Sequence, residues 1–330
     1  MTWVFVFLGE FGYELFNWQG VIRRFAATLE DGERIVCCSR GQVRPLYERA
    51  DAYVEISDVP AFQESVASGY FAVAERGSLR APGSLLVDRT VRRAIAQHVR
   101  QQLDDSGPVR FVFSSRRTEL RGCVFGASRR RFGRDLHEGD IYERLDVRQN
   151  DYRRIEPDEQ ARIEVEATLG LSLDEPYVLC QARERPIVRR SHDHVAARLL
   201  IEELAKRVPV VLLSFDTGRA LDSFSSFAEI PGTQRYFASS FGPQSTLVAH
   251  AERCVFFTEG DFGSHIYVPP FLGRDVVVLA PASVYALGTT PIEFWNESVF
   301  RFGGQIVRLE AETALASPTK VVELAAELAR

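Results

Sequence analysis

Hydrophobic residues near the start of the chain fall into two alternating patterns. Trp3–Leu8 is a continuous apolar run, which is typical of a strand buried on both faces of a parallel sheet. Leu15–Leu29 follows with apolar residues at helical spacing, and Val43–Ala50 is a second, shorter helical segment. Arg34–Cys38 and Ala52–Ile56 predict two further strands. The order β-α-β-α-β predicts a doubly wound α/β sheet.

The next part of the chain has a weaker pattern. A short strand over Leu85–Val87, a helix over Thr90–Leu103 and a strand over Arg110–Ser114 continue the α/β order. Residues 116–154 are strongly charged, rich in arginine and weakly periodic, so we expect a loop-rich insertion there. Its run Arg129–Arg131 is either a solvated face or a contact for an acidic acceptor or a membrane surface.

A second α/β series begins after this insertion. The predicted strands are Tyr177–Ala182, Val208–Phe215, Gln234–Ala238, Cys254–Phe257 and Asp275–Leu279. The predicted helices are Pro157–Leu169, His194–Arg207, Thr217–Phe227, Pro243–His250, Gly263–Leu272 and Thr319–Arg330. The chain is therefore expected to form two Rossmann-like parallel-sheet domains facing a cleft, one over residues 1–160 and the other over residues 161–330.

Length and charge limit the class of protein. A chain of 330 residues suits two domains of about 150 residues each. The net charge of −5 argues against a surface built to bind nucleic acid. Lys206 and Lys320 are the only lysines and both lie in polar helical stretches, so neither is well placed for a Schiff base or a P-loop. A phosphate site would have to use arginine, backbone N–H groups or a helix N-terminus.

Cysteine usage and hydropathy indicate a reducing, aqueous compartment. Five cysteines form no C-x-x-C pair, and four of them fall in apolar strand-like runs where reduced, buried thiols are usual; the five are Cys37, Cys38, Cys123, Cys180 and Cys254. A zinc site is not expected. The apolar start Met1–Leu8 is too short for a signal peptide, and no apolar run approaches the roughly 18 residues of a membrane span. We expect a cytoplasmic protein with at most peripheral membrane contact.

The first segment that could carry chemistry joins the first predicted strand to the first helix. Gly9, Gly12 and Tyr13 belong to a loop at the carboxyl end of a strand, where glycines let the backbone approach an anion. Glu10 is a candidate general base, and Glu14 is either a further catalytic carboxylate or support for the helix N-terminus. The alternative is a plain glycine turn with a favourable charge at the helix start.

The second segment follows the first strand of the second series. Arg183, Arg185, Arg189 and Arg190 come after the Tyr177–Ala182 strand. Guanidinium groups at the carboxyl end of a parallel strand can bind phosphate or carboxylate in bidentate fashion. The alternative is a solvated charged loop.

The third segment follows the Cys254–Phe257 strand. Gly263 and Ser264 would place N–H groups and a hydroxyl at a helix start, with His265 close enough to contact a phosphate. Glu259 and Asp261 could hold a sugar or ribose hydroxyl, or act as base or nucleophile. Capping of the helix by Asp261 or Ser264 is the alternative.

Two weaker candidates complete the set. Phe241-Gly242-Pro243 is a candidate loop for packing beneath a nucleotide base. Asp216 follows the Val208–Phe215 strand, where it could line a cleft or cap the next helix.

These segments together resemble the layout of GT-B glycosyltransferases. The stretch FFTEGDFGSHIYVPPFLGRDVVVL is similar to the strand, glycine–serine loop, helix and strand near the end of many such enzymes. The resemblance implies that Gly9–Glu14 approaches the donor and that Arg183, Arg185 and Arg189 bind its diphosphate together with the 263–265 helix start. It implies that Glu259 binds the sugar or ribose. The E-x(7)-E pattern of one large retaining class is absent.

The resulting hypothesis is a glycosyltransferase of hexosyl or Kdo type in bacterial polysaccharide or glycoconjugate synthesis. The resemblance implies an acceptor-side domain over 1–160 and a donor domain over 161–330. It also implies a nucleotide-sugar donor as substrate, a glycan or lipid-linked acceptor, and no cofactor or metal. Glu10 would act first, and Asp261 second, as base or nucleophile. A nucleotide-sugar epimerase or hydrolase of the same fold and a non-catalytic sugar- or nucleotide-binding module remain the alternatives.

Overall fold

The structure is a computed structural model that describes residues 1–8, 14–39, 43–62, 89–103, 107–113, 152–182, 194–215, 230–238, 240–258, 264–281, 292 and 295–330. The chain divides into two compact units, Met1–Tyr152 and Arg153–Arg330. Each unit is described separately below as unit 1 and unit 2.

Unit 1 contains a four-stranded parallel sheet in the order β3-β2-β1-β4. The strands are β1 (Thr2–Val6), β2 (Arg34–Ser39), β3 (Ala52–Glu55) and β4 (Val109–Phe113). All three strands predicted in the first alternating series are confirmed, as is the strand predicted over Arg110–Ser114. In the central strand, Val4 lies opposite both Val36 and Phe111.

Helices cover both faces of this sheet. Helix α1 (Gln19–Ala26) continues a five-residue π-helix, Glu14–Trp18. Aromatic residues of both segments pack against β1: the Phe5 ring lies 5.1 Å from Phe25 of α1 and 6.0 Å from Trp18 of the π-helix, between centroids.

The opposite face is covered by helix α2 (Arg89–Gln102). Its apolar positions Val91, Ile95 and Val99 are spaced four residues apart and join the core formed by Val4 and Val6. The predicted helix over Val43–Ala50 is a single 3₁₀ turn, Arg44–Tyr47.

Unit 2 contains a six-stranded parallel sheet in the order β10-β9-β8-β5-β6-β7. Its strands are β5 (Val178–Ala182), β6 (Val210–Phe215), β7 (Thr233–Ala238), β8 (Arg253–Phe257), β9 (Val276–Ala280) and β10 (Ile306–Glu310). Five of these strands are predicted from apolar runs, whereas β10 is not. The prediction of two doubly wound α/β units is confirmed.

The helices of unit 2 are α3 (Arg162–Leu169), α4 (His194–Ala205), α5 (Phe241–His250), α6 (Val268–Phe271), α7 (Ala311–Ala314) and α8 (Pro318–Leu328). A 3₁₀ turn, Glu159–Ala161, precedes α3, a second, Ser264–Tyr267, precedes α6, and a π-helix spans Trp295–Val299. Helix α8 packs on α4, and both bury apolar side chains against the sheet: Leu324 of α8 and Leu200 of α4 share a core with Leu212 of β6. The predicted strand Leu85–Val87, the predicted helix Thr217–Phe227 and the arginine-rich residues 116–151 lie outside the described residues.

Four of the five cysteines are described, and all four are buried free thiols, as predicted. Burial is the main cause that raises the pKa of each thiol, and it raises the pKa of Cys254 to about 12. These thiols therefore act as small apolar core groups that are protonated at neutral pH.

Candidate functional site

The strand order of unit 2 indicates where along the carboxyl edge of its sheet a ligand is expected to bind. The chain passes from β5 outward to β6 and β7, then returns to the other side of β5 with β8 and moves outward through β9 and β10. The connections leaving β5 and β8 therefore run to opposite sides, an arrangement that in open α/β sheets is associated with a crevice at the carboxyl ends of the two strands. Ligands of open α/β sheets bind at such a topological switch point.

Two of the segments singled out from the sequence follow these two strands. Ala182, the last residue of β5, lies opposite Phe257, the last residue of β8. The arginine segment begins at residue 183, and the third segment begins directly after Phe257. Their candidate residues lie outside the described residues: Arg183, Arg185, Arg189, Arg190, Glu259, Asp261 and Gly263. The topology nevertheless attaches both segments to the switch point.

Buried polar side chains mark the ends of the same strands. Gln181, next to the end of β5, is 3% exposed, and Thr258, just after β8, is 2% exposed. Ser214, near the end of β6, is also buried. Within the sequence these residues sit in apolar runs, so only the sheet topology draws attention to them.

The chain after β8 enters a helical turn near the predicted position. Ser264–Tyr267 is a 3₁₀ turn that leads into α6. The backbone of Ser264 and His265 belongs to this turn, while their side chains lie outside the described residues. The first residues of a helical turn have backbone N–H groups without intrahelical partners. This turn begins seven residues after β8, one of the two switch-point strands.

The prediction that Phe241-Gly242-Pro243 forms a loop is wrong. These three residues are buried and form the first turn of α5. Proline is tolerated in the first turn because its missing N–H has no helical partner there. Ser240 precedes the helix with an extended backbone. The predicted candidate Asp216 lies outside the described residues.

Unit 1 has a switch point of its own between β1 and β4. The chain leaves β1 toward β2 and β3, while β4 lies on the other side of β1. Val6 and Phe113 end these strands opposite each other. The first predicted segment follows β1, but Gly9, Glu10, Gly12 and Tyr13 lie outside the described residues. The arginine-rich insertion follows β4 in the same way.

Glu14 is the one described residue of that segment, and it is buried. It begins the π-helix and is 2% exposed. Its carboxylate accepts a hydrogen bond from the Tyr47 hydroxyl, and the Tyr47 ring stacks on Tyr53 with centroids 6.0 Å apart. Burial first, and then the charge of Glu14, raise the pKa of Tyr47 well above its usual value. The hydroxyl thus remains a donor, and the pair fixes the start of the helix after β1.

The π-helix begins at Glu14 and leads directly into the regular helix α1. Short π segments interrupt α-helices at functional sites more often than elsewhere. The Gln19 amide donates to the Leu15 carbonyl over 2.6 Å, so a buried side chain supports this irregular turn. The sequence cannot separate π from α geometry here, because the apolar spacing of the two is nearly the same over one turn.

Within the described ranges, no three histidine, cysteine or acidic side chains come together as a metal site. No described helix is both long and apolar enough to cross a bilayer.

Comparisons with known proteins give matches at the level of structure. No protein-family model matches the chain, and no curated protein matches its sequence. The E. coli ADP-heptose LPS heptosyltransferase II is similar over 100% of this chain and 98% of that chain, with a TM-score of 0.52 and 15% identity. A glycosyl transferase family 9 structure from Veillonella parvula is similar over 99% and 97%, with a TM-score of 0.52 and 12% identity.

An epimerase structure also aligns, but more weakly. The UDP-GlcNAc 2-epimerase from Neisseria meningitidis matches over 99% of this chain and 91% of that chain, with 15% identity. Its TM-score is 0.38. The two all-parallel sheets and the two structures with the higher TM-scores agree on the architecture: this chain has the GT-B glycosyltransferase fold.

Proposed function

We propose that this protein is a glycosyltransferase that moves a sugar from a nucleotide-activated donor to a glycan or other acceptor. Unit 2 binds the donor and unit 1 binds the acceptor. The observation that carries the proposal is the β5–β8 switch point, because the two segments suited to bind a phosphate follow these two strands. The heptosyltransferase with a similar fold is named for ADP-heptose, a nucleotide sugar. A role in bacterial polysaccharide or glycoconjugate synthesis belongs to the same proposal.

Arginine supplies the positive charge for the donor phosphates in this mechanism. Arg183 follows the end of β5 directly, and Arg185 and Arg189 lie a few residues further on. Guanidinium groups and the N–H groups of the turn at Ser264 stabilise the charge that develops on the departing phosphate. Glu259 binds a hydroxyl of the donor sugar or ribose. No step requires a lysine.

A carboxylate completes the reaction. Glu10, four residues after β1, deprotonates the acceptor hydroxyl or attacks the anomeric carbon, and Asp261 is second in order for the same role. The Glu14–Tyr47 pair anchors the far end of the Glu10 segment. Glu14 therefore acts in positioning, since its carboxylate is buried and engaged by the tyrosine.

Donor binding by arginine variants tests the proposal. A panel of UDP, GDP, TDP, ADP and CMP sugars should include at least one that raises the melting temperature of the wild type, because a ligand of the native state stabilises it by mass action. Arg183→Ala and Arg185→Ala should each weaken binding of that donor by about 1.5–3 kcal/mol. The matched control is Arg198→Ala on α4, which removes an arginine ion-paired with Glu202 at 2.7 Å. Control and site variants with equal donor affinity would contradict the assignment.

Acceptor dependence then separates the transferase from the other activities of the fold. With a donor identified, release of the nucleotide should require an acceptor. Release without an acceptor would indicate a hydrolase. Conversion of the donor into an isomeric nucleotide sugar without release would indicate an epimerase, and binding with neither outcome would indicate a binding module.

A further inference from the structure

Helix α2 of unit 1 carries an unusual distribution of charge. Its sequence, RTVRRAIAQHVRQQ, contains four arginines and no acidic residue, in a chain whose net charge is −5. Arg89, Arg93 and Arg100 are exposed, and Arg92 is half-buried. None of the ion pairs within the described part of the chain involves these four residues, which we call the arginine stripe.

Helical geometry places the arginine stripe along one side of α2. At 100° per residue, the four arginines fall within roughly 100° of arc, beside the arc of the buried Val91, Ile95 and Val99. The stripe extends over about 16 Å, given a rise of about 1.5 Å per residue. An array of this length matches several anionic groups in a row better than a single ion.

Aromatic residues of the edge strand β4 hold two of the guanidinium groups. The Arg92 guanidinium carbon lies 5.1 Å from the centroid of the Phe113 ring, and that of Arg100 lies 5.0 Å from the Phe111 ring. Such cation–π contacts orient an arginine without neutralising it. The Nε atom of Arg92 is buried and has no hydrogen-bond partner, so one donor is left unused.

The stripe also leads toward the proposed site. Phe113, under Arg92, ends β4 and lies opposite Val6 of β1. The Glu10 segment begins shortly after Val6. The amino-terminal end of α2 therefore lies at the carboxyl edge of the sheet, where the acceptor hydroxyl must be deprotonated.

The surface formed by α2 and β4 is better suited to bind a water-soluble polymer than a lipid bilayer. Helices that lie in a membrane interface combine basic residues with exposed large apolar residues that enter the lipid. The exposed large hydrophobic residues of the described chain include none from α2 or β4. The stripe thus offers positive charge and planar hydrogen-bond donors, but no exposed large apolar side chain that could enter the acyl chains of a bilayer.

We propose that the arginine stripe binds an anionic acceptor glycan, whose carboxylate or phosphate groups pair with the guanidinium groups while its growing end lies at the β1–β4 edge. The inference rests on the proposed function, because it assigns the acceptor class of the same transferase. The shared chemistry is a row of oxyanions on a sugar chain, which bidentate guanidinium groups recognise well.

A charge-matched pair of variants tests the stripe. The triple variant Arg89→Gln/Arg93→Gln/Arg100→Gln removes three charges, and glutamine retains a helix propensity close to that of arginine. The control Arg34→Gln/Arg49→Gln/Arg207→Gln removes three exposed charges elsewhere; Arg34 begins β2 and Arg49 precedes β3, both at the amino edge of the unit 1 sheet. Binding of labelled oligogalacturonate, a phosphorylated oligomannose and a neutral malto-oligosaccharide is measured by fluorescence anisotropy.

The wild type and the control should bind at least one anionic oligosaccharide and not the neutral one. The stripe variant should bind it at least ten-fold more weakly, a factor that corresponds to about 1.4 kcal/mol. It should remain folded, with a melting temperature lowered only slightly by the loss of the Arg100–Phe111 contact. Equal binding by both variants, or no binding of either anionic glycan by the wild type, would overturn the proposal. So would a preference for phosphatidylglycerol vesicles over both glycans. Donor binding measured on the same three proteins reports separately on the proposed function, since the stripe variant should retain it.

Discussion

The contact between Tyr47 and Glu14 offers a sharp test of how unit 1 holds the segment after β1. Tyr47→Phe removes one hydroxyl and leaves the ring that stacks on Tyr53. Tyr47 is 4% exposed and Glu14 is 2% exposed, so water has little access to replace the lost donor. The substitution therefore isolates a single buried hydrogen bond.

The expected loss of unfolding free energy follows from the charge and burial of the acceptor, Glu14. A hydrogen bond to a charged group contributes about 1.5–3 kcal/mol, and removing one partner of a buried pair leaves the other incompletely solvated. Tyr53→Phe is the matched control, because the Tyr53 hydroxyl donates to the partly exposed Glu55 over 3.2 Å. That substitution should lower the free energy of unfolding by only about 0.5–1.5 kcal/mol, since water can take the place of the lost donor.

Urea denaturation at neutral pH measures both variants. Equal slopes of the unfolding free energy against urea are needed, so that the midpoints report stability alone. If the proposed function holds, Tyr47→Phe should also lower turnover more than donor affinity, because it loosens the segment that bears Glu10. Equal costs for the two variants would refute the view that the Glu14 pair anchors this segment.

Three further predictions concern other parts of the molecule. Because burial raises the pKa of Cys37, Cys38, Cys180 and Cys254, the unfolded chain releases these protons first. The unfolding free energy should therefore fall as pH rises above about 8.5, by about 1.4 kcal/mol per thiol at about pH 9.5; a urea midpoint independent of pH over this range would contradict it. Glu10→Gln should lower turnover by about 10²–10⁴ with little change in donor affinity, whereas near-normal turnover would transfer the role to Asp261. Gly304→Ala should lower stability by about 1–3 kcal/mol, because a Cβ there would lie 2.6 Å from the Pro270 Cα and 2.9 Å from the Arg274 backbone nitrogen; an unchanged melting temperature would exclude this clash.

The parts of the fold that were predictable are those with a repeated local signal. Central parallel strands such as β1 and β5 are buried on both faces, so their apolar runs stand out in the sequence. Strand β10 is an edge strand in which Val307 and Arg308 are exposed, and its mixed sequence gives no such run. Edge strands lose the signal because one side of them lacks a neighbour.

The candidate site was predictable only as separate segments. The sequence places polar residues after apolar strands, but the order of strands within a sheet depends on long-range pairing. The Tyr47–Glu14 bond joins residues 33 positions apart, and no local pattern indicates it. The arginines of α2 likewise resemble an ordinary solvated face until β4 is seen to pair with β1.

Topology also indicates which polar clusters at a carboxyl edge are structural. Glu55 ends β3, the edge strand of unit 1, and it accepts hydrogen bonds from the Tyr53 hydroxyl and the Ser57 backbone, each at 3.2 Å. Two strands, β2 and β1, separate this carboxylate from β4, so it lies away from the position where the connections diverge. Its neighbours already occupy its oxygens, which leaves it the role of closing a turn. The segments after β1, β5 and β8 differ in position, because each follows a strand at a switch point. Position in the sheet, more than residue type, is therefore the reason for assigning catalysis to Glu10 and not to Glu55.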